Sequence, residues 1–376
     1  VFLVGPMPTP GVAHLTKSMG CGAGIMLTAS HNPYEDNGLK IFGPDGYKLS
    51  DELELAIERE ILGEGKIPGV SPDKIGKATR IDDARGRYIE YAKRSAGAGD
   101  LAGMKIVVDC GHGAAYLLAP LIFKELGAKV VKLGVEPDGL NINAGCGALH
   151  PEHAGRVVRE QGADLGISFD GDADRVIFTD ETGVSVSGDR ILTLCALALM
   201  EEGKLRGATM ACTVMSNLGL HEALRAAGIA VLTTAVGDRH VIEALRAGGY
   251  SFGGENSGHL IFADHATTGD GILSALQVLR IMKRRGQPLS VLAQVMREYP
   301  QSLVNLKVRA KPPLESLPRL QATLREADAQ FGDLGRHLIR YSGTEHKVRI
   351  LVEHRDADVV DAWSTRLRGV IEQELA

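Results

Sequence analysis

The chain has 376 residues, 44% apolar and 24% charged, with a formal net charge of −5. That is the balance of an ordinary globular protein with room for two to four domains. The charge disfavours a nucleic-acid surface, and the longest apolar stretch, "ILTLCALALM" (191–200), falls well short of the ~20 residues of a membrane-spanning helix.

The chain opens on a strand-like "VFLVGPMPTP", with neither an initiating Met nor a basic leader, so further residues are expected upstream in the gene product. Residues 22–63 read as strand, polar loop and helix. The helix "LSDELELAIEREIL" starts from Ser50, a good N-cap, with acids in its first turn. Residues 64–83 are punctuated by Gly and Pro and read as a connection. A second unit starts near 84 with the helical "DDARGRYIEYAKRSA". It continues through the buried strand "MKIVVDC", the loop and helix "GHGAAYLLAPLIFKELG" and the strand "KVVKLG". "DLGISFDGDADRVIFTDETGVSVSGD" then reads as strand, loop, strand and turn.

A third unit follows: helix "RILTLCALALMEEGKL", strand "TMACTVM" running into "SNLGLHEALRAAG", strand "AVLTTAVG", helix "DRHVIEALRAGG", the strand pair "YSFGGENSGHLIF" and a long helix over "TTGDGILSALQVLRIMKRRG". From about 302, "LVNLKVRA", "LESLPRLQATLREADAQFG", "RHLIRYSG", "KVRILVEH" and "VVDAWSTRLRGVIEQEL" read as strand, helix, strand, strand and helix. Recurrent strand–loop–helix units argue α/β layers, and polar loops at strand ends are where such layers hold ligands. The 46 glycines sit singly at the ends of apolar runs, which fits tight loops there. Cys21, Cys110, Cys146, Cys195 and Cys212 form no CxxC pair, and an odd count fits a reducing cytoplasm better than a disulfide scaffold.

Four loops carry chemistry. In "FDGDADR" (169–175), Asp170, Asp172 and Asp174 alternate with small residues, which puts three carboxylates on one side of an extended loop. Carboxylates that close repel unless a hard cation sits among them; the alternative is a solvated acidic turn. An EF-hand is disfavoured because Arg175 stands where that loop needs Gly, and because strands flank it. "RYSGTEHKVR" (340–349) offers Ser342, Gly343 and Thr344 between Arg340 and Arg349. It reads as a phosphate cradle or as a hairpin turn with surface arginines. "GGENSGH" (253–259) places Glu255, Asn256, Ser257 and His259 between strands, which suits sugar hydroxyls or a plain polar turn. "TASHNP" (28–33) ends a strand on Ser30 beside His31, with Lys40 ten residues on. No G-x-S-x-G elbow surrounds Ser30, so acyl transfer is disfavoured. Beside a tri-aspartate loop and a phosphate cradle, phosphoryl transfer to serine is the coherent reading, with Lys40 or His31 assisting proton transfer.

These loops, in this order and along essentially the whole chain, resemble the α-D-phosphohexomutase family. The resemblance implies three similar α/β domains with mixed sheets plus a smaller C-terminal α+β domain, around a central cleft. The expected boundaries are 1–82, 83–185, 186–301 and 302–376, each segment contributing one loop. It implies Ser30 as the phosphoserine, and Mg²⁺, one per chain, on Asp170, Asp172, Asp174 and the Ser30 phosphate. It also implies Lys40 and His259 as acid–base groups with His31 beside them. Arg175, Asp238, Arg239, Glu255, Asn256, Ser257, Arg340, Ser342, Gly343, Thr344 and Arg349 are the implied substrate contacts. A hexose 1,6-bisphosphate would prime Ser30.

Within the family the chain is most similar to the bacterial branch acting on glucosamine phosphates. That similarity rests on Asn256 after Glu255, on "VGDRHV" (236–241) and on "GPMPTPGVAHLT" (5–16). The implied reaction interconverts glucosamine 6-phosphate and glucosamine 1-phosphate through a 1,6-bisphosphate, supplying cell-wall amino-sugar precursors. The alternatives are a phosphomannomutase/phosphoglucomutase, or an inactive truncated mutase that only binds sugar phosphates. The implied setting is the cytoplasm, with a small sugar phosphate as partner, no nucleic acid, no membrane, and a homodimer through the first domain. "CGALHPE" (146–152) departs from the family's usual Ser-Thr at Ala148-Leu149, and the family's opening "GTDGIRG"-type segment is absent, so the chain alone is expected to be less stable and less active than a form with that segment restored.

Overall fold

A computed structural model describes the chain except residues 64–68, 96, 98–99, 343–345 and 376. It contains two compact units, residues 1–216 with 224–295, and residues 217–223 with 296–376.

The first unit starts with β1 (Phe2–Leu3), α1 (Thr9–Ser18), β2 (Gly24–Thr28), β3 (Gly38–Phe42), α2 (Asp51–Leu62) and β4 (Thr79–Arg80). β2 and β3 form an antiparallel hairpin that sets Met26 opposite Lys40, while β1 pairs with β4 in parallel. α1 carries Pro10 in its first turn, where the missing N–H has no intrahelical partner to lose. Ser50 caps α2 as its sequence predicts: the side chain accepts from the Leu53 N–H, and Asp51, Glu52 and Glu54 face the positive end of the helix dipole.

The chain continues through α3 (Ala84–Ser95), β5 (Lys105–Asp109), α4 (Leu118–Glu125), β6 (Lys129–Leu133), α5 (Pro151–Gln161), β7 (Leu165–Phe169), β8 (Val176–Thr179) and β9 (Ser185–Val186). These strands form one sheet in the order β6-β5-β7-β8-β9, parallel over the first three and antiparallel over the rest. Ile106, Val107, Val108, Leu165, Ile167 and Phe169 are all fully buried, so neighbouring residues on both faces are covered. That is why "KIVVD" and "LGISF" read as unbroken runs and not as alternations.

α6 (Gly188–Glu201), β10 (Thr209–Thr213), α7 (Leu218–Ala226), β11 (Ala230–Thr234), α8 (Asp238–Gly248), β12 (Phe252–Gly254), β13 (Leu260–Phe262), α9 (Gly271–Arg285) and the single-turn α10 (Leu289–Leu292) follow. Their sheet, β11-β10-β12-β13, repeats the plan of parallel strands closed by an antiparallel hairpin. Residues 1–82 repeat the hairpin, as β2–β3, while β1 and β4 pair separately.

The second unit is antiparallel. β14 (Gln301–Lys307), β16 (Lys347–His354) and β15 (Gly335–Tyr341) lie in the order β14-β16-β15. α11 (Pro318–Phe331) and α12 (Ala357–Leu375) supply the core that covers this sheet: Leu320, Ala327, Phe331, Trp363, Leu367 and Ile371 pack with Val348, Ile350 and Val352. Burial of each large apolar side chain here contributes roughly 1.5–3 kcal/mol. The helix expected from Leu314 starts at Pro318, after a separate 3-10 turn over Leu314–Ser316, because Pro is tolerated in a first turn and not further inside. All four loops singled out in the sequence are therefore hairpin connections: β2–β3, β7–β8, β12–β13 and β15–β16.

Candidate active site

Ser30 follows the end of β2. Its N–H donates to Thr28 Oγ1 at 2.8 Å, and the Asn32 N–H donates to the Ala29 carbonyl at 2.9 Å, which closes a tight turn. Ser30 takes φ +52°, a left-handed conformation that costs an L-residue roughly 1–2 kcal/mol. Such strain persists only where the surroundings over-determine it. The antiparallel register brings Lys40 back along β3 beside the turn, its Nζ 3.4 Å from Ser30 Oγ. His31 Nδ1 lies 3.5 Å from the same oxygen. His31 is half-buried; burial, and then the charge of Arg175, lower its pKa and favour the neutral ring.

The turn between β7 and β8 carries the aspartates. Asp170 accepts the Arg175 N–H at 3.1 Å, and Ala173 turns at φ +56°. Asp170, Asp172 and Asp174 are 0%, 0% and 3% exposed, and one oxygen of each lies within 4.8 Å of the others. Lys40 Nζ sits among them, 2.6 Å from Asp172 Oδ2 and 2.7 Å from Asp174 Oδ2. Burial raises Asp170 well above the carboxylate range, and its neighbours Asp174 and Asp172 push the same way. Burial would also raise Asp174, but Lys40 and then His259 outweigh it and hold that carboxyl well below its usual value. For Lys40, burial lowers the pKa, and the two carboxylates reverse this and keep the ammonium charged.

Asp170 Oδ2, Asp172 Oδ1 and Asp174 Oδ1 are buried without a hydrogen-bond partner. Three neighbouring carboxylates, each with one unsatisfied oxygen, form an all-oxygen donor set that fits a hard divalent cation.

The third loop connects β12 and β13. Glu255 Oε1 accepts the Gly237 N–H at 3.0 Å, Asn256 Nδ2 donates to the Met215 carbonyl at 3.2 Å, and Ser257 Oγ is buried without a partner. His259 is 2% exposed, with Nδ1 3.7 Å from Asp174 Oδ1 and Nε2 3.5 Å from Asp238 Oδ2. Nε2 also lies 3.1 Å from the Gly269 N–H, which donates to it, and Nδ1 is turned toward Asp174. Both nitrogens face protein groups. A cavity of about 350 Å³ is lined by Lys40, Lys48, Asp51, Glu54, Asp238 and Arg239. In it, Lys48 pairs with Asp238, and Arg239 pairs with Asp51 and Glu54.

The fourth loop belongs to the second unit and is described by itself. Arg340 on β15 stands directly opposite Arg349 on β16. Like charges in register are unfavourable without an anion to share; burial, then Arg349, lowers the Arg340 pKa. The Ser342 N–H closes the hairpin on the Lys347 carbonyl at 2.8 Å. Gly343 and Thr344 lie outside the described residues.

Two residues assigned no role from the sequence touch the centre. Thr9, at the start of α1, donates its hydroxyl to Asp172 Oδ2, and its N–H to the Asp172 carbonyl at 3.0 Å. Asn143 Nδ2 donates to the carbonyls of Ser30 and Asn32 at 2.9 and 2.8 Å. The only sequence signals were small: a threonine between two prolines, and an asparagine before Ala-Gly, a residue type that tolerates left-handed turns.

Family models match nearly the whole chain. They are described as phosphoglucomutase/phosphomannomutase alpha/beta/alpha domain I over residues 1–67, domain II over 86–183, domain III over 187–299 and the C-terminal domain over 303–370. Phosphoglucosamine mutase of Syntrophotalea carbinolica is 52% identical, covering 100% of this chain and 82% of its own length. That of Sorangium cellulosum is 53% identical, covering 100% and 79%. Among solved structures, a phosphoglucomutase/phosphomannomutase family protein from Burkholderia thailandensis superposes with TM-score 0.80 at 26% identity, over 100% of this chain and 83% of the other. Aspergillus fumigatus N-acetylphosphoglucosamine mutase, solved with GlcNAc-6P and magnesium, shares the fold, with TM-score 0.74 at 21% identity over 98% and 93%. With matches from residue 1 to residue 370 and about half of its positions shared with phosphoglucosamine mutases, the chain belongs to the phosphoglucomutase/phosphomannomutase family of α-D-phosphohexomutases.

Proposed function

We infer that the chain is a phosphoglucosamine mutase, an isomerase that interconverts glucosamine 6-phosphate and glucosamine 1-phosphate through a phosphoserine. The observation that carries the chemistry is Ser30 Oγ beside a charged lysine that bridges buried aspartates with unsatisfied oxygens.

Ser30 carries the phosphoryl group. In the first half-reaction the P–Oγ bond breaks as a bond forms from phosphorus to the free sugar hydroxyl oxygen. The hydroxyl proton leaves to a base, and Ser30 Oγ takes up a proton. Lys40, within reach of Oγ and held charged, suits the proton donor and offsets negative charge on the transferring group. His31, neutral and 3.5 Å from Oγ, suits the base that takes the serine proton when Oγ is phosphorylated again. The bisphosphate then turns end for end and returns its other phosphoryl group to Ser30. Asp170, Asp172 and Asp174 would hold Mg²⁺, one per chain, whose charge would be shared with the phosphoryl oxygens when bound.

Glu255 and Ser257 are assigned to sugar hydroxyls. Asn256 is assigned to the 2-amino group: its Nδ2 is engaged by Met215, which leaves its carbonyl oxygen as an acceptor for an amine donor. Arg340, Ser342, Gly343, Thr344 and Arg349 are assigned to the phosphate that is not reacting, Arg175 to the reacting one, and Asp238 and Arg239 to the floor of the cavity. A hexose 1,6-bisphosphate is the primer. The four-domain division, 1–82, 83–185, 186–301 and 302–376, belongs to the same proposal. So does a cytoplasmic setting, supported by five free cysteines. A homodimer through residues 1–82 is supported by the exposed apolar face of the β2–β3 hairpin, Ile25, Leu27 and Leu39.

The test is a ³¹P NMR time course with Mg²⁺ and a trace of glucose 1,6-bisphosphate, offering glucosamine 6-phosphate and glucose 1-phosphate together. Conversion of the amino sugar first is expected. Conversion of glucose phosphate first would assign the chain to hexose phosphates with a 2-hydroxyl.

A further inference from the structure

The turn that presents Ser30 is held from outside as well as from within. Within the turn, the backbone bonds are Ser30 N–H to Thr28 Oγ1 and Asn32 N–H to the Ala29 carbonyl. The outward-facing carbonyls of Ser30 and Asn32 are instead taken up by another part of the chain. Asn143, on the loop after β6, donates from Nδ2 to the Ser30 carbonyl at 2.9 Å and to the Asn32 carbonyl at 2.8 Å. The Ser30 carbonyl also accepts the Gly171 N–H at 3.1 Å, from inside the aspartate loop. That approach is close: a Cβ on residue 171 would lie 2.5 Å from the Ser30 oxygen.

Asn143 is itself set for this task. It is 8% exposed, its N–H donates to the Gly111 carbonyl at 2.8 Å, and it takes φ +58°. Asn is among the few residues that accept the left-handed region, and it alone combines that tolerance with two short, divergent N–H donors. Two left-handed residues, Ser30 and Asn143, thus face each other across a two-point amide clamp, one carrying the reacting oxygen.

We propose that Asn143 is a positioning residue for phosphoryl transfer: its amide holds the Ser30–Asn32 backbone in the left-handed turn that keeps Ser30 Oγ beside Lys40 and the aspartate loop. The inference rests on the phosphoserine reading given above. Its effect should fall on the chemical step, because a nucleophile displaced by about 1 Å loses on the order of 100-fold in rate while the sugar contacts stay in place.

The experiment compares the full chain with Asn143→Asp and Asn143→Gly. Asp keeps the side-chain volume and tolerance of positive φ but presents oxygens to two carbonyls; Gly keeps the backbone angle and removes the clamp. Dephosphorylated protein is mixed with Mg²⁺ and glucose 1,6-bisphosphate. Transfer to Ser30 Oγ, with the serine proton leaving and the sugar oxygen gaining one, is followed by quenched-flow mass spectrometry, alongside steady-state kcat and KM and amide exchange over residues 29–33. Expected are a phosphorylation rate and kcat lower on the order of 100-fold in both variants, with KM within about twofold and exchange accelerated only around the turn. Rates within about threefold of the parent, or a raised KM at unchanged kcat, would overturn the clamp. If Asn143→Gly does not fold, Asn143→Asp decides. A parent chain that takes up no phosphoryl group would sink the functional reading instead, and unchanged exchange in the variants would sink the clamp by itself.

Discussion

Lys40 Nζ lies 2.6 Å from Asp172 Oδ2, a partner 132 residues further along the chain. The carboxylate side chain is fully buried and the lysine 19% exposed. A buried pair of this kind adds little stability over apolar packing, but losing one partner strands the other charge in low dielectric.

Lys40→Met keeps the stem and removes the charge. Asp172 and Asp174 would then lose their shared cation, and the variant is expected to be destabilised by about 2–3 kcal/mol, less than a fully dry pair because the lysine is partly exposed. Added Mg²⁺ should raise the Tm of the variant more than that of the parent, since it replaces the missing positive charge. Thermal unfolding with and without Mg²⁺ checks this, and equal responses would mean the aspartates do not share one cation site.

On the phosphoserine reading proposed above, Ser30→Ala removes the reacting oxygen and little else. Turnover is expected to fall by about 1,000-fold or more. Binding of glucosamine 6-phosphate, read by calorimetry, should stay within a few-fold. Residual turnover near the parental level would place the nucleophile elsewhere.

Asp170 is the aspartate whose ionisation burial and its neighbours oppose most directly. Asp170→Asn should raise the Mg²⁺ dissociation constant by about tenfold or more and should also raise the Tm of the metal-free protein, because the cost of a buried carboxyl that must stay protonated, or ionise beside Asp172 and Asp174, is gone. Affinity loss without any gain in metal-free Tm would indicate that Lys40 already neutralises the triad.

Asp270 gives a pH dependence. It caps α9 through the Leu273 N–H and accepts the Tyr88 hydroxyl with both oxygens at 2.9 Å. Burial pushes it up to about 6 from 3.8, against those bonds. A folded pKa above the unfolded one means the fold binds the proton more tightly. Its stabilisation is full below pH 3.8 and is lost as pH rises through 6, amounting to about 3 kcal/mol at most. Asp270→Asn keeps an acceptor for both donors and does not titrate. The stability of the variant relative to the parent, from urea unfolding, should therefore rise between pH 4 and 6 and level off above. A difference independent of pH would rule out this shift.

Much of this was legible in one dimension. Strands buried on both faces announced themselves as "KIVVD" and "LGISF", and Ser50 announced its helix, because periodicity and capping act within a few residues. The aspartates could be read as one group because alternation by two puts side chains on one side of an extended segment.

What lay beyond local chemistry was pairing across distance. Nothing near Thr9 shows that its hydroxyl meets Asp172, 163 residues away, or near Asn143 that its amide meets Ser30, 113 residues away. In sequence His259 is one polar residue of a loop between strands, and only packing buries it between Asp174 and Asp238. Residue type, spacing and turn chemistry by themselves determined which loops are polar connections at strand ends and which of them gather carboxylates or arginines; the family resemblance, not local chemistry, put the sugar and phosphate roles on them. Which atoms face one another, and which backbone is held in a strained turn, was decided by tertiary structure alone, because those contacts follow from close packing of segments that share no local sequence signal.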